Sequence, residues 1–160
     1  MRVSILSVGK LKSGPERELF ERYSERFVQL SRGLNFDALR ILESAESQLR
    51  RHEERQAEEA KIFHSNLDEK TYMIALDERG KQFSSPDFAG LLGKQRDSGR
   101  ADIALLIGGP DGFDATIRSR ADLVLSFGAM TIPHQLVRVL LMEQLYRAAT
   151  ILSNHPYHRV

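Results

Sequence analysis

The chain ends on a short run, Asn154 to Arg159, that carries more potential chemistry than any other stretch of its length. Tyr157 can stack on a nucleic-acid base, and Arg159 can hold a phosphate or an anionic base. His155 or His158 can accept a proton near neutral pH. Terminal residues are usually frayed, but a frayed end does not require two imidazoles, a phenol and a guanidinium so close together. This tail is therefore a candidate catalytic segment.

Two apolar runs break on glycine-containing loops. The run ending at Ile107 is followed by Gly108-Gly109-Pro110-Asp111-Gly112, and the run from Leu125 is followed by a loop that leads into Pro133. Glycine lets a backbone approach a ligand closely, and ligands of open α/β sheets bind outside the carboxyl ends of strands. Two such breaks at neighbouring strands predict one crevice lined by main-chain N–H and C=O groups. The alternative is an ordinary strand-ending turn, because Pro-Asp-Gly is common turn chemistry.

The glycine run matches neither the dinucleotide fingerprint G-x-G-x-x-G nor the phosphate loop G-x-x-x-x-G-K-[ST]. A nicotinamide cofactor and ATP therefore both lose support, which disfavours a nucleotide-binding hydrolase. The chain has Cys 0, which excludes a cysteine nucleophile, a disulfide and a thiolate zinc site. Its 5 histidines are scattered without ligand spacing, so no metal is expected.

The segment from Pro133 to Leu152 predicts a long last helix. Glu143 and Arg147 lie one turn apart in the order that favours a helix-surface ion pair, and His134 at the start fits a structural or a functional role equally well. The apolar side chains of this helix cover more than a narrow stripe, so we expect two neighbours, one of which can be another subunit. These side chains are Val137, Leu140, Leu141, Leu145, Ala148 and Leu152. We expect Leu141 to be exposed at such an interface.

Strands and helices alternate five times, which favours a three-layer α/β domain with a mostly parallel sheet. The predicted strands are Arg2 to Val8, Leu34 to Leu42, Thr71 to Asp77, Ala101 to Ile107 and Leu123 to Phe127. The predicted helices open at Pro15, at Ser44, near Ser84, at Asp114 and at Pro133, and the second of them runs to Asn66 with few apolar anchors. The whole chain of 160 residues is expected to form one domain.

The composition is ordinary for a globular protein, with 41% hydrophobic and 28% charged residues. A net charge of +1 argues against holding nucleic acid through the overall field. Arginines nevertheless outnumber acidic residues after Arg118, and a basic patch confined to one end fits docking on a structured RNA. The apolar runs are too short for a signal peptide or a membrane span, so a cytoplasmic protein without a membrane partner is expected.

Three segments together resemble the RlmH family, the SPOUT-class methyltransferases that modify a pseudouridine of large-subunit ribosomal RNA. They are LIGGPDG from Leu106, LSFGAMTIPHQLVRVLLMEQLYRA from Leu125, and the terminal NHPYHR. Their order and spacing, and the position of the last at the C-terminus, make the combination specific. The resemblance covers essentially the whole chain. It implies a C-terminal trefoil knot, which the pattern of strands and helices cannot indicate.

The resemblance also implies a site for S-adenosylmethionine. The cofactor-binding residues carried over from the family are Leu76, Gly108, Phe127, Gly128, Ala129, Met130, Thr131 and Ile132. Arg147 joins His155, Tyr157, His158 and Arg159 as a candidate on the RNA side of the site. The family further implies a homodimer in which the tail of one subunit reaches toward the cofactor of the other.

The resulting hypothesis is methylation of N3 of a pseudouridine in large-subunit rRNA on the ribosome. A histidine of the tail would accept the N3 proton, and Arg159 would stabilise the developing negative charge. The rival hypothesis is a non-catalytic ribosome-associated factor that uses the basic end for docking alone.

Overall fold

Five parallel strands form the central sheet of the protein, and the computed structural model describes residues 1–158. The strands are β1 (Arg2–Val8), β2 (Ala38–Ser44), β3 (Tyr72–Gln82), β4 (Asp102–Ile107) and β5 (Leu123–Ser126). They lie in the order β2-β1-β4-β3-β5, and every pair is parallel. The prediction of a three-layer α/β fold with a parallel sheet is confirmed.

Helices cover both faces of this sheet. They are α1 (Pro15–Ser31), α2 (His52–Ser65), α3 (Ser85–Asp97), α4 (Ala115–Arg120) and α5 (His134–Leu152). Val3 and Ile5 of β1 face a core shared with α1, α3 and α5, whereas Leu6 and Val8 face a second core shared with α2 and α4. All six residues of β4 are buried, as expected for a parallel strand covered on both faces.

Local sequence explains several helix starts. Ser84 caps α3, because its Oγ accepts a hydrogen bond from the N–H of Asp87 at 3.2 Å. Asp114 caps α4 in the same way, with Oδ1 accepting from the N–H of Ile117 at 2.9 Å. The first turn of α5 follows Pro133, whose ring fixes the entry of the chain into the helix.

Two predicted elements begin several residues later in the structure than in the prediction. The second strand begins at Ala38 rather than Leu34, because residues 32–34 form a 3-10 turn that ends on Asn35 in the left-handed conformation (φ 59°). The charged helix begins at His52 rather than Ser44, and residues 45–51 form a loop after β2. The charge run in this segment cannot distinguish such a loop from an exposed helix.

The prediction about α5 is corrected at Leu141. Leu141 is fully buried, because α5 packs against α1 and α3 of its own chain. Only Leu136 and Leu140 remain exposed among the leucines of this helix. Arg138 is also buried and donates to the carbonyl oxygens of Val8 (2.7 Å) and Gly9 (2.8 Å). Arg138 therefore supports the end of β1 and is not available to RNA.

No helix in residues 1–158 is long and apolar enough to cross a membrane.

Candidate functional site

A crevice of about 320 Å³ lies where β4 and β5 end and where the pairing of β3 with β4 ends at Leu76. These three strands are adjacent and parallel, so the chain segments that follow these points share one edge of the sheet. The first turn of α5 completes the wall through His134 and Val137. The volume falls in the range of about 300–1,000 Å³ that is typical of small-molecule sites.

The structure brings the residues that the resemblance implied for the cofactor together at this crevice. Leu76 comes from β3, Gly108 follows β4, and the loop after β5 supplies the remaining members. The predicted residues that line it are Leu76, Gly108, Phe127, Gly128, Met130, Thr131 and Ile132. Ala129 belongs to the same loop but does not line the crevice.

The turn after β4 is held rigidly from outside. The N–H of Gly112 (φ 73°) donates to the carbonyl of Gly109 at 2.9 Å, which closes the turn. Arg55 of α2 donates two hydrogen bonds, of 2.6 and 2.9 Å, to the carboxylate of Asp111. These hydrogen bonds hold the pKa of the Asp111 carboxyl below its usual range. Gln56 donates to the carbonyl oxygen of Asp111 at 2.7 Å. The crevice wall is therefore already in position before a ligand arrives.

The loop after β5 is fixed by Ser126 and by Gly80. Ser126 Oγ accepts from the N–H of Gly128 at 3.0 Å and donates to the carbonyl of Glu78 at 3.0 Å. Gly80 lies directly on the backbone of β5, since a Cβ there would come within 2.7 Å of Val124 and Leu125. The pairing of β3 with β5 is irregular between Leu76 and Lys81, and this irregularity allows β3 to continue to Gln82. The predicted end of the third strand at Asp77 is therefore too early.

Glu59 of α2 is a buried carboxylate beneath the glycine turn. Its Oε1 accepts a hydrogen bond from the N–H of Ser47 at 3.2 Å, and its Oε2 would lie 2.9 Å from a Cβ on Gly109. Burial raises the pKa of Glu59 above its ordinary value, and the negative charges of Asp111 and Glu46 act in the same direction.

We expect Glu59→Gln to stabilise the protein at neutral pH. A raised pKa in the folded state means that ionisation of Glu59 costs stability as pH rises through that pKa. Glutamine removes this cost, and its amide oxygen can still accept the hydrogen bond from the N–H of Ser47. The difference in melting temperature should shrink as pH falls and vanish below about pH 4, where the unfolded carboxyl is also protonated. Exposed Glu54→Gln on the same helix is the control. A lower melting temperature for Glu59→Gln at pH 8 would contradict this account.

Sequence reasoning missed the charged residues at the rim of the crevice. Asp77, Arg79 and Arg118 line it together with Glu78. Asp77 directly follows Leu76, and this position after a run of apolar residues could have indicated that it borders the crevice. Arg118 lies on the short helix after the glycine turn, and nothing in the sequence around it indicated a place in the crevice.

The described part of the tail, through Tyr157, does not line the crevice of its own chain. It folds back on α5, where the Tyr157 hydroxyl donates to Oε1 of Glu143 at 3.1 Å and the ring packs on Tyr146 at 4.7 Å between centroids. The Arg147 guanidinium lies 5.1 Å from the Tyr157 ring centroid and bonds to Glu143 at 2.6 Å, as the predicted helix-surface pair. Burial, with hydrogen bonds to Tyr23 and Glu143, raises the pKa of the Tyr157 phenol well above its ordinary value.

The structure describes the whole of His155 but only the backbone of His158. His155 is exposed, and its Nδ1 accepts a hydrogen bond from the N–H of Tyr157 at 3.2 Å. The backbone of His158 ends a 3-10 turn, Pro156–His158. The His158 side chain and Arg159 lie outside the described residues.

Fold and site together define an α/β protein with a crevice of small-molecule size at the carboxyl edge of a parallel sheet. A family model described as "Predicted SPOUT methyltransferase" matches residues 1–158. The protein named "Ribosomal RNA large subunit methyltransferase H" from Brucella anthropi is 51% identical over 159 residues, covering 99% of each chain. Its namesake from Rhizobium etli is 52% identical over 160 residues and covers 100% of both chains.

A solved structure, that of a probable methylase family protein from Haemophilus influenzae Rd KW20, matches 99% of this chain and 70% of that one. Its TM-score is 0.52 at 11% sequence identity, so this likeness concerns the fold alone. The chain belongs to the SPOUT methyltransferases, as the sequence resemblance predicted, and membership of that class implies the C-terminal knot.

Proposed function

We propose that the protein transfers the methyl group of S-adenosylmethionine to N3 of a pseudouridine in large-subunit ribosomal RNA on the ribosome, in the cytoplasm. The observation that carries the proposal is the crevice, in which glycine backbone and apolar side chains meet at three adjacent strand ends. An adenine ring fits such walls, because it bonds to main-chain groups and packs on apolar side chains. The names of the relatives from Brucella and Rhizobium support the RNA substrate.

The nucleophile of this reaction belongs to the RNA. When bound, S-adenosylmethionine supplies an electrophilic methyl group on a sulfonium. The bond from N3 to carbon forms as the carbon–sulfur bond breaks, S-adenosylhomocysteine leaves, and the N3 proton must pass to a base. The protein therefore contributes positioning and proton transfer rather than a covalent intermediate.

Among the tail side chains, His158 is the best candidate for the base. Nδ1 of His155 accepts a hydrogen bond from the Tyr157 amide, so a neutral His155 ring carries its proton on Nε2. The lone pair of Nδ1 then faces the backbone and not a substrate. The raised pKa of Tyr157 keeps the phenol protonated, and its ring already packs on Tyr146 and Arg147. We infer that Tyr157 anchors the tail, so that His158 and Arg159 can act on the base.

A homodimer would bring the tail to the reaction. The tail packs near the middle of α5, and neither His155 nor Tyr157 lines the crevice of its own chain. Leu136 and Leu140, one turn apart on α5, form an exposed apolar strip that offers a surface for a second copy, and exposed Met130 lies in the crevice loop that precedes this helix. We propose that this strip lies in the dimer interface and that each tail serves the crevice of the partner.

Leu140→Glu should therefore reduce dimer content and methylation together, because a carboxylate would be buried in the interface. Light scattering on the unmutated protein at micromolar concentration should give twice the chain mass of 18.2 kDa, and the variant should shift toward one chain. Leu49→Glu is the control, since Leu49 has similar exposure but lies in the loop after β2. A single-chain mass for the unmutated protein would rule out this arrangement.

The proposed activity is tested with ribosomes from cells that lack the modification. Labelled methyl from S-adenosylmethionine should enter large-subunit rRNA, and mapping should find it on N3 of a pseudouridine. Calorimetric titration with S-adenosylmethionine separates the enzyme from a docking factor, because a docking factor has no reason to bind the methyl donor. Absence of both binding and transfer would overturn the proposal.

A further inference from the structure

The lining of the crevice combines two kinds of chemistry. Part of its wall is apolar, with Ile107, Leu125 and Val137 contributed by two strands and α5. Its rim also carries two charged side chains, Asp77 of β3 and Arg118 of α4. A ligand that fills the whole crevice must therefore offer both an apolar and a charged part.

Asp77 and Arg118 form an ion pair across this rim. Arg118 Nη2 lies 3.2 Å from Oδ2 of Asp77, whose side chain is only 11% exposed. The other carboxylate oxygen of Asp77 accepts from the N–H of Arg79 at 3.0 Å, which fixes the orientation of the carboxylate. Arg118 Nη2 also lies 3.7 Å from the position of a Cβ on Gly112. The guanidinium therefore lies between the middle of β3 and the glycine turn.

The Arg118 guanidinium has capacity for a further acceptor. Its side chain is 39% exposed, and Asp77 is its only acidic partner among residues 1–158. A guanidinium has five N–H donors and can bind a carboxylate with two of them at once. The pair thus presents an anion and a cation side by side, which complements a zwitterion.

We propose that the Asp77–Arg118 pair binds the amino-acid group of the methyl donor, with Arg118 on its carboxylate and Asp77 on its ammonium. This inference rests on the proposed function, because that function identifies the ligand. The amino-acid end of the donor is its only zwitterionic part, and the apolar wall takes the adenine. The ion pair thereby selects for donors and products that retain the amino acid.

A purely structural role makes a different prediction. If the pair only holds α4 against β3, its loss should weaken every ligand of the crevice equally. Two ligands separate these cases. S-adenosylhomocysteine retains the amino-acid group, whereas 5′-methylthioadenosine has the same adenine and ribose without it.

Calorimetric dissociation constants for both ligands should be measured on the unmutated protein, Arg118→Gln and Asp77→Asn. We expect each substitution to weaken S-adenosylhomocysteine by about tenfold or more while 5′-methylthioadenosine changes by less than about twofold. Arg120→Gln is the control on the same helix, since Arg120 bonds to His64 and to the carbonyl of Asp68 instead. The control should bind both ligands as the unmutated protein does.

Equal weakening of both ligands, or no weakening of either, would overturn the assignment of the ion pair. Failure of the unmutated protein to bind either ligand would have a different meaning. It would overturn the proposed use of the methyl donor, and with it the subsite. Circular dichroism spectra of the variants establish that each is folded before binding is compared.

Discussion

Deletion of residues 154–160 should lower methylation by a factor on the order of 10²–10³, while the dissociation constant for S-adenosylmethionine stays nearly unchanged. The separation is expected because the crevice is built from β3, β4, β5 and α5, and the described part of the tail does not line it. Base positioning and charge stabilisation would be lost together. Single-turnover methylation and calorimetry on the same preparation measure the two effects independently.

Finer changes distinguish the anchor of the tail from the groups that act on the base. Tyr157→Phe keeps the packing on Tyr146 but loses the hydrogen bond to Glu143, so we expect a small loss of rate. Arg159→Lys should be strongly impaired, because lysine keeps the charge but loses the planar fork. Methylation by the truncated protein at the full-length rate would make the tail dispensable. His134 and Arg147 would then be the remaining candidates, since Arg138 is buried.

Gly108→Val should abolish binding of S-adenosylmethionine in a protein that still folds. A Cβ at Gly108 would lie 3.3 Å from the ring of Phe113 and 3.4 Å from the backbone of Gly112. A branched side chain must therefore displace the glycine turn or enter the crevice. Gly108→Ala should weaken binding less, because only one methyl group is added.

The matched control for this series is Gly90→Ala on α3. A Cβ at Gly90 meets nothing within 4 Å among the described residues, so this change should leave the affinity unaltered. Calorimetry measures binding, and thermal unfolding followed by circular dichroism measures the fold. Undiminished affinity in folded Gly108→Val would remove Gly108 from the site.

The alternation of elements could be predicted because buried parallel strands read as apolar runs and the helices carry clear starts at Ser84, Asp114 and Pro133. The loop of residues 45–51 could not, because its conformation depends on distant partners. Arg55 donates to the carbonyls of Leu49 and Arg50 at 2.9 Å each, and the N–H of Ser47 bonds to Glu59. Such contacts produce no periodic pattern in the sequence, so the conformation of the loop could not be predicted from it.

The crevice could be predicted in outline from its glycines and, through the family resemblance, in seven of the residues that line it. The errors have one physical cause. Periodicity shows that a helical residue is apolar or charged, but it cannot show which neighbour covers it. Leu141 was therefore predicted to lie at an interface, although α5 packs against α1 and α3 of its own chain and buries it. The ion pair of Asp77 with Arg118 was missed because it joins the middle of β3 to α4, which lies far from it in the sequence.

The buried Arg138 also constrains the order in which this chain can fold. Its guanidinium donates hydrogen bonds to the carbonyl oxygens of Val8 and Gly9 and forms an ion pair with Glu43 at 2.9 Å. These partners are synthesised early, whereas Arg138 follows about 130 positions later. The end of β1 thus stays incomplete on the ribosome until α5 has been made and docked. The contacts of Arg138 therefore couple the end of β1 to placement of the C-terminal segment.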